Sequence, residues 1–319
     1  TVPPTCPAYL CPDRTKTITG CAGNLCQFPP RQDLPPGAPG QSGVTYHKDG
    51  YPEVAVFGDH KNRPCSATIL TPKLAMTALH CLQDPWSHFH QSATTLWNWQ
   101  HLSLKQDSRA WYTVTMIVDG QETSALVSHF SVPYSPHDIR PADQNTQPKR
   151  DILLVHLSGQ GLPLPPHQWP IVDFAYGAHP GALSFAGYGW TNVDSLDTIT
   201  WKAAANAQKW ADLRQVAFNF AEGVTPVAGF THPLVTWKNG DPKHTGGPCR
   251  GDSGGPIYAG FNRGYWNNPR RVFGIVSGGT GQITSAAGCL SDDSIGFGEI
   301  LGNYKTGICT LGPIPPRGC

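Results

Sequence analysis

Ser253 lies in Cys249-Arg250-Gly251-Asp252-Ser253-Gly254-Gly255-Pro256, a hydroxyl flanked by glycines. An oxygen that attacks a carbonyl must be approached closely from one side, and glycine removes the Cβ atoms that would crowd the incoming group. Ser253 is therefore the candidate nucleophile. The backbone N–H groups of Gly251 and Ser253 could converge on the oxygen of a tetrahedral intermediate, where each such donor is typically worth about 2.7–4 kcal/mol. Taken alone, Ser-Gly-Gly reads as a glycine-rich turn. What lifts it above that reading is the presence upstream of a histidine, His80, in Met76-Thr77-Ala78-Leu79-His80-Cys81, and of an aspartate, Asp151, in Arg150-Asp151-Ile152-Leu153-Leu154-Val155. Asp151 opens a strongly apolar segment, so burying it without a partner would be costly.

With these stretches in this order, the chain resembles the chymotrypsin-like (trypsin-fold) serine peptidases, whose triad runs His, Asp, Ser along the chain. Five motifs carry the resemblance: Thr-Ala-Leu-His-Cys at 77–81, Asp-Ile-Leu-Leu-Val at 151–155, Gly-Tyr-Gly-Trp at 187–190, Gly-Asp-Ser-Gly-Gly-Pro at 251–256 and Gly-Ile-Val-Ser at 274–277. They place it over residues 43–300. The resemblance implies that His80 takes and returns the Ser253 proton, that Asp151 orients and stabilises its imidazole, and that Gly251 and Ser253 form the oxyanion hole. Asp84 and Asp143 compete for the acid role, but neither precedes a matching strand. The family's chemistry requires no cofactor and no metal.

The same resemblance implies disulfides Cys65–Cys81 and Cys249–Cys289. It aligns Gly247 with the base of the specificity pocket, Ile295 with its wall, and Ser277, Gly278 and Gly279 with the segment that pairs with substrate backbone as an added strand. Glycine at 247 argues against selection of Lys or Arg, and Ile295 would narrow the pocket, so an apolar P1 residue is expected. Asp292 or Asp293, on a longer than usual segment, could reach the pocket and reverse that preference. Family zymogens release an Ile-Val type terminus whose ammonium pairs with the aspartate before the nucleophile, here Asp252. No Ile-Val-Gly-Gly occurs upstream of Cys65. Either an internal group holds Asp252 or residues 1–42 mark a latent precursor. A catalytically silent binding module on the same scaffold is the alternative from another class.

The elements that must position these residues are short. Glu53-Val54-Ala55-Val56-Phe57, Ser66-Ala67-Thr68-Ile69-Leu70, Trp111 to Val118, Ile152 to Val155, Ala182 to Ala186, Val227-Ala228-Gly229-Phe230, Pro256-Ile257-Tyr258 and Arg271 to Val276 read as strands between Gly and Pro turns, with little helical patterning. The expected fold class is all-β, a barrel or sandwich from the pattern. The resemblance selects two six-stranded antiparallel barrels with the site in the cleft between them. The expected organisation is a cysteine-containing segment and proline-rich linker at 1–42, a first barrel at 43–165, a second at 166–305 and a tail at 306–319. Cys6, Cys11, Cys21 and Cys26 suit two disulfides better than zinc, whose thiolate ligands usually have shorter gaps. Cys309 and Cys319 pair most simply with each other, with a link from tail to N-terminal segment as the alternative.

The 319 residues carry a formal net charge of +1 and only 14% charged residues, with no long basic or acidic block, so nucleic acid and anionic membranes have no compositional support as partners. The expected partner is a protein or peptide substrate. No apolar run approaches the roughly 20 residues of a membrane span, and Thr1-Val2-Pro3-Pro4 is no signal peptide, which suits a processed, soluble product. Ten cysteines, an even number, favour an oxidising compartment and hence a secreted, extracellular protein. Nothing in the residues speaks to oligomeric state.

Overall fold

Short runs of apolar and β-branched residues broken by turn residues give this chain strands and very little helix. The computed structural model of the protein describes residues 51–58, 65–82, 99–105, 112–118, 121–133, 150–175, 182–189, 215–238, 248, 251–259, 270–280 and 295–319, together with the strand backbone at 21–22, 25–26, 45–46 and 89–96. Cys21–Ala22 (β1) and Leu25–Cys26 (β2) pair with each other, and Thr45–Tyr46 is β3. The next eight strands are Val54–Gly58 (β4), Cys65–Thr71 (β5), Leu74–Thr77 (β6), Phe89–Leu96 (β7), Trp99–Leu104 (β8), Thr113–Val118 (β9), Gln121–Pro133 (β10) and Leu153–Leu157 (β11). Ile171–Val172 (β12) leads to Ala182–Gly187 (β13), Gln215–Thr225 (β14), Leu234–Lys238 (β15), Pro256–Ala259 (β16), Arg271–Gly279 (β17) and Ile295–Ile300 (β18).

Two closed antiparallel barrels of six strands result. In the first the order is β11-β6-β5-β4-β9-β10, and β10 returns to β11. Strand β10 can do this because it is 13 residues long. Its first half pairs with β9 and its second half with both β8 and β11, so the β7–β8 hairpin hangs from its edge. In the second barrel the order is β17-β16-β13-β14-β15-β18, closed by β18 on β17. Strand β3 pairs with β14, and β12 lies parallel to β17. One expected strand is a turn. Val227 to Phe230 bends back, with the Phe230 N–H donating to Val227 O at 3.1 Å, because Gly229 adopts a φ of 90°, which no extended strand accommodates.

Inward-facing residues alternate along the strands and fill each barrel: Phe57, Ile69, Val114, Phe130 and Val155 in the first, and Phe185, Val235, Trp237 and Phe273 in the second. A third cluster lies at the seam between them, with Val54, Met76 and Leu154 from the first barrel against Tyr188, Tyr258 and Ile275 from the second. The chain end joins this seam. After β18, Leu301–Tyr304 makes a 3-10 turn and Lys305–Thr310 an α-helix (α1). Tyr304 meets the Trp99 ring edge-on at 6.0 Å, and Gly307 approaches the same indole so closely that a Cβ there would fall 2.0 Å from Nε1. The Cys309–Cys319 disulfide then turns the tail so that Arg317 O accepts the Val172 N–H at 2.7 Å.

Glu53 is fully buried at the seam, and its carboxylate takes a bidentate pair from the Arg270 guanidinium and the Tyr258 hydroxyl at 2.6 Å. Burial opposes the guanidinium charge, but Glu53 outweighs it and holds Arg270 firmly protonated. Removing one partner of such a pair leaves an uncompensated buried charge. Arg270→Met is expected to lower stability in urea unfolding by about 3–5 kcal/mol, and adding Glu53→Gln to it to recover part of the loss.

Three histidines share one face of the first barrel. His129 on β10 stacks on His156 of β11 at 3.9 Å and lies 4.2 Å from His101 of β8, ring centroid to centroid. Burial, and then the neighbouring imidazoles, push His129 down to about 4 and His156 to about 3. These folded-state values lie below the 6.5 of an unfolded imidazole, so between them the unfolded chain binds more protons and stability falls as pH falls. The melting temperature should therefore drop as pH is lowered from 6.5 towards 4, and His129→Gln should make that slope shallower; equal slopes would refute the assignment.

Candidate active site

The site forms where the two barrels meet. His80 sits in a 3-10 turn, Leu79–Cys81, directly after β6, and the turn is tied to β5 by the Cys65–Cys81 disulfide. Asp151 lies two residues before β11, whose residues are all buried. Since β11 pairs with β6, with Leu153 opposite Thr77, the two strands bring Asp151 beside His80. Ser253 comes from the second barrel, in the turn before β16. Its carbonyl accepts the Ser66 N–H at 2.9 Å, and the Ser66 hydroxyl donates to Gly251 O at 3.0 Å. One residue of β5 therefore holds both ends of the nucleophile loop.

Glycine is required in that loop. Gly254 has a φ of 81°, and a Cβ there would lie 2.0 Å from Thr77 Oγ1 and 2.4 Å from Ser66 O. The left-handed backbone and the close approach of β5 and β6 both exclude a side chain. Asp252 points the other way, where its Oδ1 accepts the Gly189 N–H at 2.7 Å. A Cβ at Gly189 would fall within 2.5 Å of that carboxylate. Within the described residues, Asp252 thus meets a backbone donor from Gly189, in the Gly-Tyr-Gly segment at 187–189.

The three candidate residues are in line. Asp151 is fully buried; its Oδ1 accepts the His80 backbone N–H at 2.9 Å and its Oδ2 meets His80 Nδ1 at 2.7 Å. The Ser277 hydroxyl, on β17, also donates to Oδ2. An ionised carboxylate can only accept, so Nδ1 must carry the proton and Nε2 is left as an acceptor. That Nε2 lies 2.9 Å from Ser253 Oγ. Burial draws the His80 pKa down, but the Asp151 charge and hydrogen bond outweigh it and leave the imidazole raised above 6.5. A serine hydroxyl facing the free nitrogen of an imidazole that is oriented and made more basic by a buried carboxylate can be deprotonated as it attacks an electrophile.

Of the other candidates, the Ser277 side chain belongs to the Asp151 cluster, whereas Gly278 and Gly279 are half-buried at the end of β17, opposite Phe297 and Gly296. Ile295 is half-buried at the start of β18 and accepts the Thr280 N–H at 2.8 Å. Gly247, Cys249, Cys289, Asp292 and Asp293 lie outside the described residues, as do the side chains of Cys21 and Cys26. Cys65, His80 and Cys81 bring potential metal-ligand atoms within 4.8 Å of one another, but the disulfide consumes both thiols, so the group does not suit an ion.

Residues not anticipated from sequence lie behind Asp151. Its backbone N–H donates to Glu299 Oε1 at 2.7 Å, and Glu299 Oε2 meets His232 Nε2 at 2.7 Å and the Tyr304 hydroxyl at 2.9 Å. The available signal was a glutamate in Ile295-Gly296-Phe297-Gly298-Glu299-Ile300, a strand otherwise apolar or glycine, where an acidic side chain needs a buried partner.

No family model matches the chain, and no curated protein matches it. Among solved structures it is similar to neuropsin, a serine protease expressed in the limbic system of mouse brain, with a TM-score of 0.52 and 15% identity over 83% of this chain and 96% of that one. The fold is the two-barrel chymotrypsin fold. At that identity the likeness reaches the architecture and stops there, and the side-chain geometry above is the chain's own.

If Asp151 is what raises His80, Asp151→Asn removes the opposing charge and leaves the burial, so the His80 titration followed by NMR should fall below 6.5. A titration unmoved by the substitution would show that Asp151 does not set it.

Proposed function

We propose that the chain is a serine endopeptidase acting through an acyl-enzyme. The observation that carries this reading is the continuous line from buried Asp151 through His80 to Ser253 Oγ, at 2.7 and 2.9 Å. Ser253 Oγ attacks the scissile carbonyl carbon as its proton passes to His80 Nε2, giving a tetrahedral oxyanion and an imidazolium stabilised by Asp151. The oxyanion is assigned to the N–H groups of Gly251 and Ser253, supported by the left-handed Gly251, with a φ of 97°, and by the Ser66 anchor on both residues. The imidazolium then protonates the leaving amine as the C–N bond breaks. Water, deprotonated by His80, attacks the ester and frees Ser253 with its proton restored.

Substrate backbone is assigned to the end of β17 at Ser277, Gly278 and Gly279, where a ladder edge could accept an added strand. The uncharged Gly247 and apolar Ile295 support an apolar P1 residue. Two disulfides among the described residues, with ten cysteines in the chain, support action in an oxidising, extracellular setting. His80, Asp151 and Ser253 need no cofactor for these steps.

The test is cleavage of a peptide library by the 319-residue chain and by Ser253→Ala prepared identically, alongside labelling with an organophosphonate probe. Cleavage after apolar residues is expected, with kcat/KM in the variant lower by about 10⁴-fold or more and the label lost. Neither cleavage nor labelling by the wild-type chain would overturn the peptidase reading, and a profile dominated by Lys or Arg at P1 would overturn the apolar pocket.

A further inference from the structure

Asp151 is gripped by the second barrel at both of its ends. Ser277 on β17 reaches its carboxylate, and Glu299 on the paired strand β18 accepts its backbone N–H at 2.7 Å. A buried amide N–H needs only a neutral acceptor such as a carbonyl or hydroxyl. Here the acceptor is a fully buried carboxylate, a group that costs several kcal/mol to take out of water unless it is paired. The partners come from elsewhere in the chain: His232, in the turn before β15, at 2.7 Å and Tyr304, after β18, at 2.9 Å. Those two also meet each other at 2.9 Å, and His232 Nδ1 lies 3.1 Å from Thr231 Oγ1, which accepts in turn from Arg150 Nε at 3.4 Å. Burial, then Glu299, push the Tyr304 phenol well above its ordinary value, so it stays protonated and remains a donor.

We propose that Glu299, held by His232 and Tyr304, is a positioning residue that fixes Asp151 and through it the His80 imidazole; the inference rests on the peptidase reading. A charge-assisted hydrogen bond is shorter and stronger than a neutral one, so the Asp151 backbone has little freedom to drift. Asp151 contributes three contacts to His80 and Ser277 through one short side chain, and any displacement of its Cα is passed directly to Nδ1. The arrangement is no proton relay, since a peptide N–H does not release its proton in this pH range.

Three variants of the full chain test it: Glu299→Ala, Glu299→Gln and Tyr304→Phe. Glu299→Ala should lower kcat by about 10–100-fold, the scale of a misplaced reacting group, while KM stays close to wild type because substrate contacts are untouched. Glu299→Gln should restore most of kcat, since its amide oxygen still accepts from Asp151 and its NH₂ can face Tyr304 and a neutral His232. Tyr304→Phe, which deletes one hydroxyl and keeps the ring, should lower kcat by a smaller factor and covers the case in which Glu299→Ala does not fold. The far-downfield proton resonance of His80 Nδ1–H provides a readout independent of turnover. It should persist in Glu299→Gln and shift or vanish in Glu299→Ala. Folded variants with kcat and this resonance both unchanged overturn the inference, as does a loss of stability alone. A wild-type chain that cleaves nothing would instead overturn the peptidase reading, and the resonance would still decide whether Glu299 positions Asp151.

Discussion

The constraint on which the rest of this molecule depends is the burial of the Asp151 carboxylate. With no water to solvate it, every lone pair must meet a donor, and the donors come from both barrels: the backbone and ring of His80 from one side, the Ser277 hydroxyl from the other. The carboxylate cannot be satisfied by either barrel alone. Closing the seam is therefore the same event as completing the site, and the ionised state of Asp151 fixes which nitrogen of His80 is left to face Ser253.

The seam is built to be unforgiving around that point. Ser66, on β5, donates through both its backbone N–H and its hydroxyl to the loop carrying Ser253, and its hydroxyl also accepts the Tyr188 N–H at 2.9 Å. Gly254 and Gly189 let backbone and carboxylate approach where a methyl group would not fit. Farther along, the Glu53–Arg270 pair joins β4's entry to the start of β17 beneath the Tyr51 ring, whose centroid lies 4.9 Å from the guanidinium carbon. Polar groups thus set the register of one barrel on the other, and the apolar cluster between them supplies the adhesion.

The fold was legible because its signals are local. Short apolar or alternating runs at Glu53–Phe57, Ser66–Leu70 and Ile152–Val155 correspond to β4, β5 and β11, and the ordered motifs around His80, Asp151 and Ser253 led to three side chains that the structure brings into one line. Val227–Phe230 misled because four apolar or small residues look the same in a strand and in a turn until the φ of Gly229 is known. The Cys309–Cys319 link settles between two alternatives that spacing left open. Glu299 left one mark, an acidic side chain in a strand otherwise apolar or glycine, but its partners His232 and Tyr304 left none, since 67 residues separate His232 from Glu299 and the pairing of β15 with β18 carries their segments together. Long-range polar clusters leave no periodic trace.

The tail gives the assembly a direction in time. Trp99 of the β7–β8 hairpin packs against Tyr304 and Gly307, and β12, the link between barrels, pairs with β17 and also meets Arg317. These residues emerge from the ribosome after every strand of both barrels. The first barrel can close on local pairings while the second is still being made, yet its outer edge and the crossing strand wait for residues 304–317. Residues 304–317, made after both barrels, close the joint between them, and a ribosome that stalls shortly before these residues leaves that joint open.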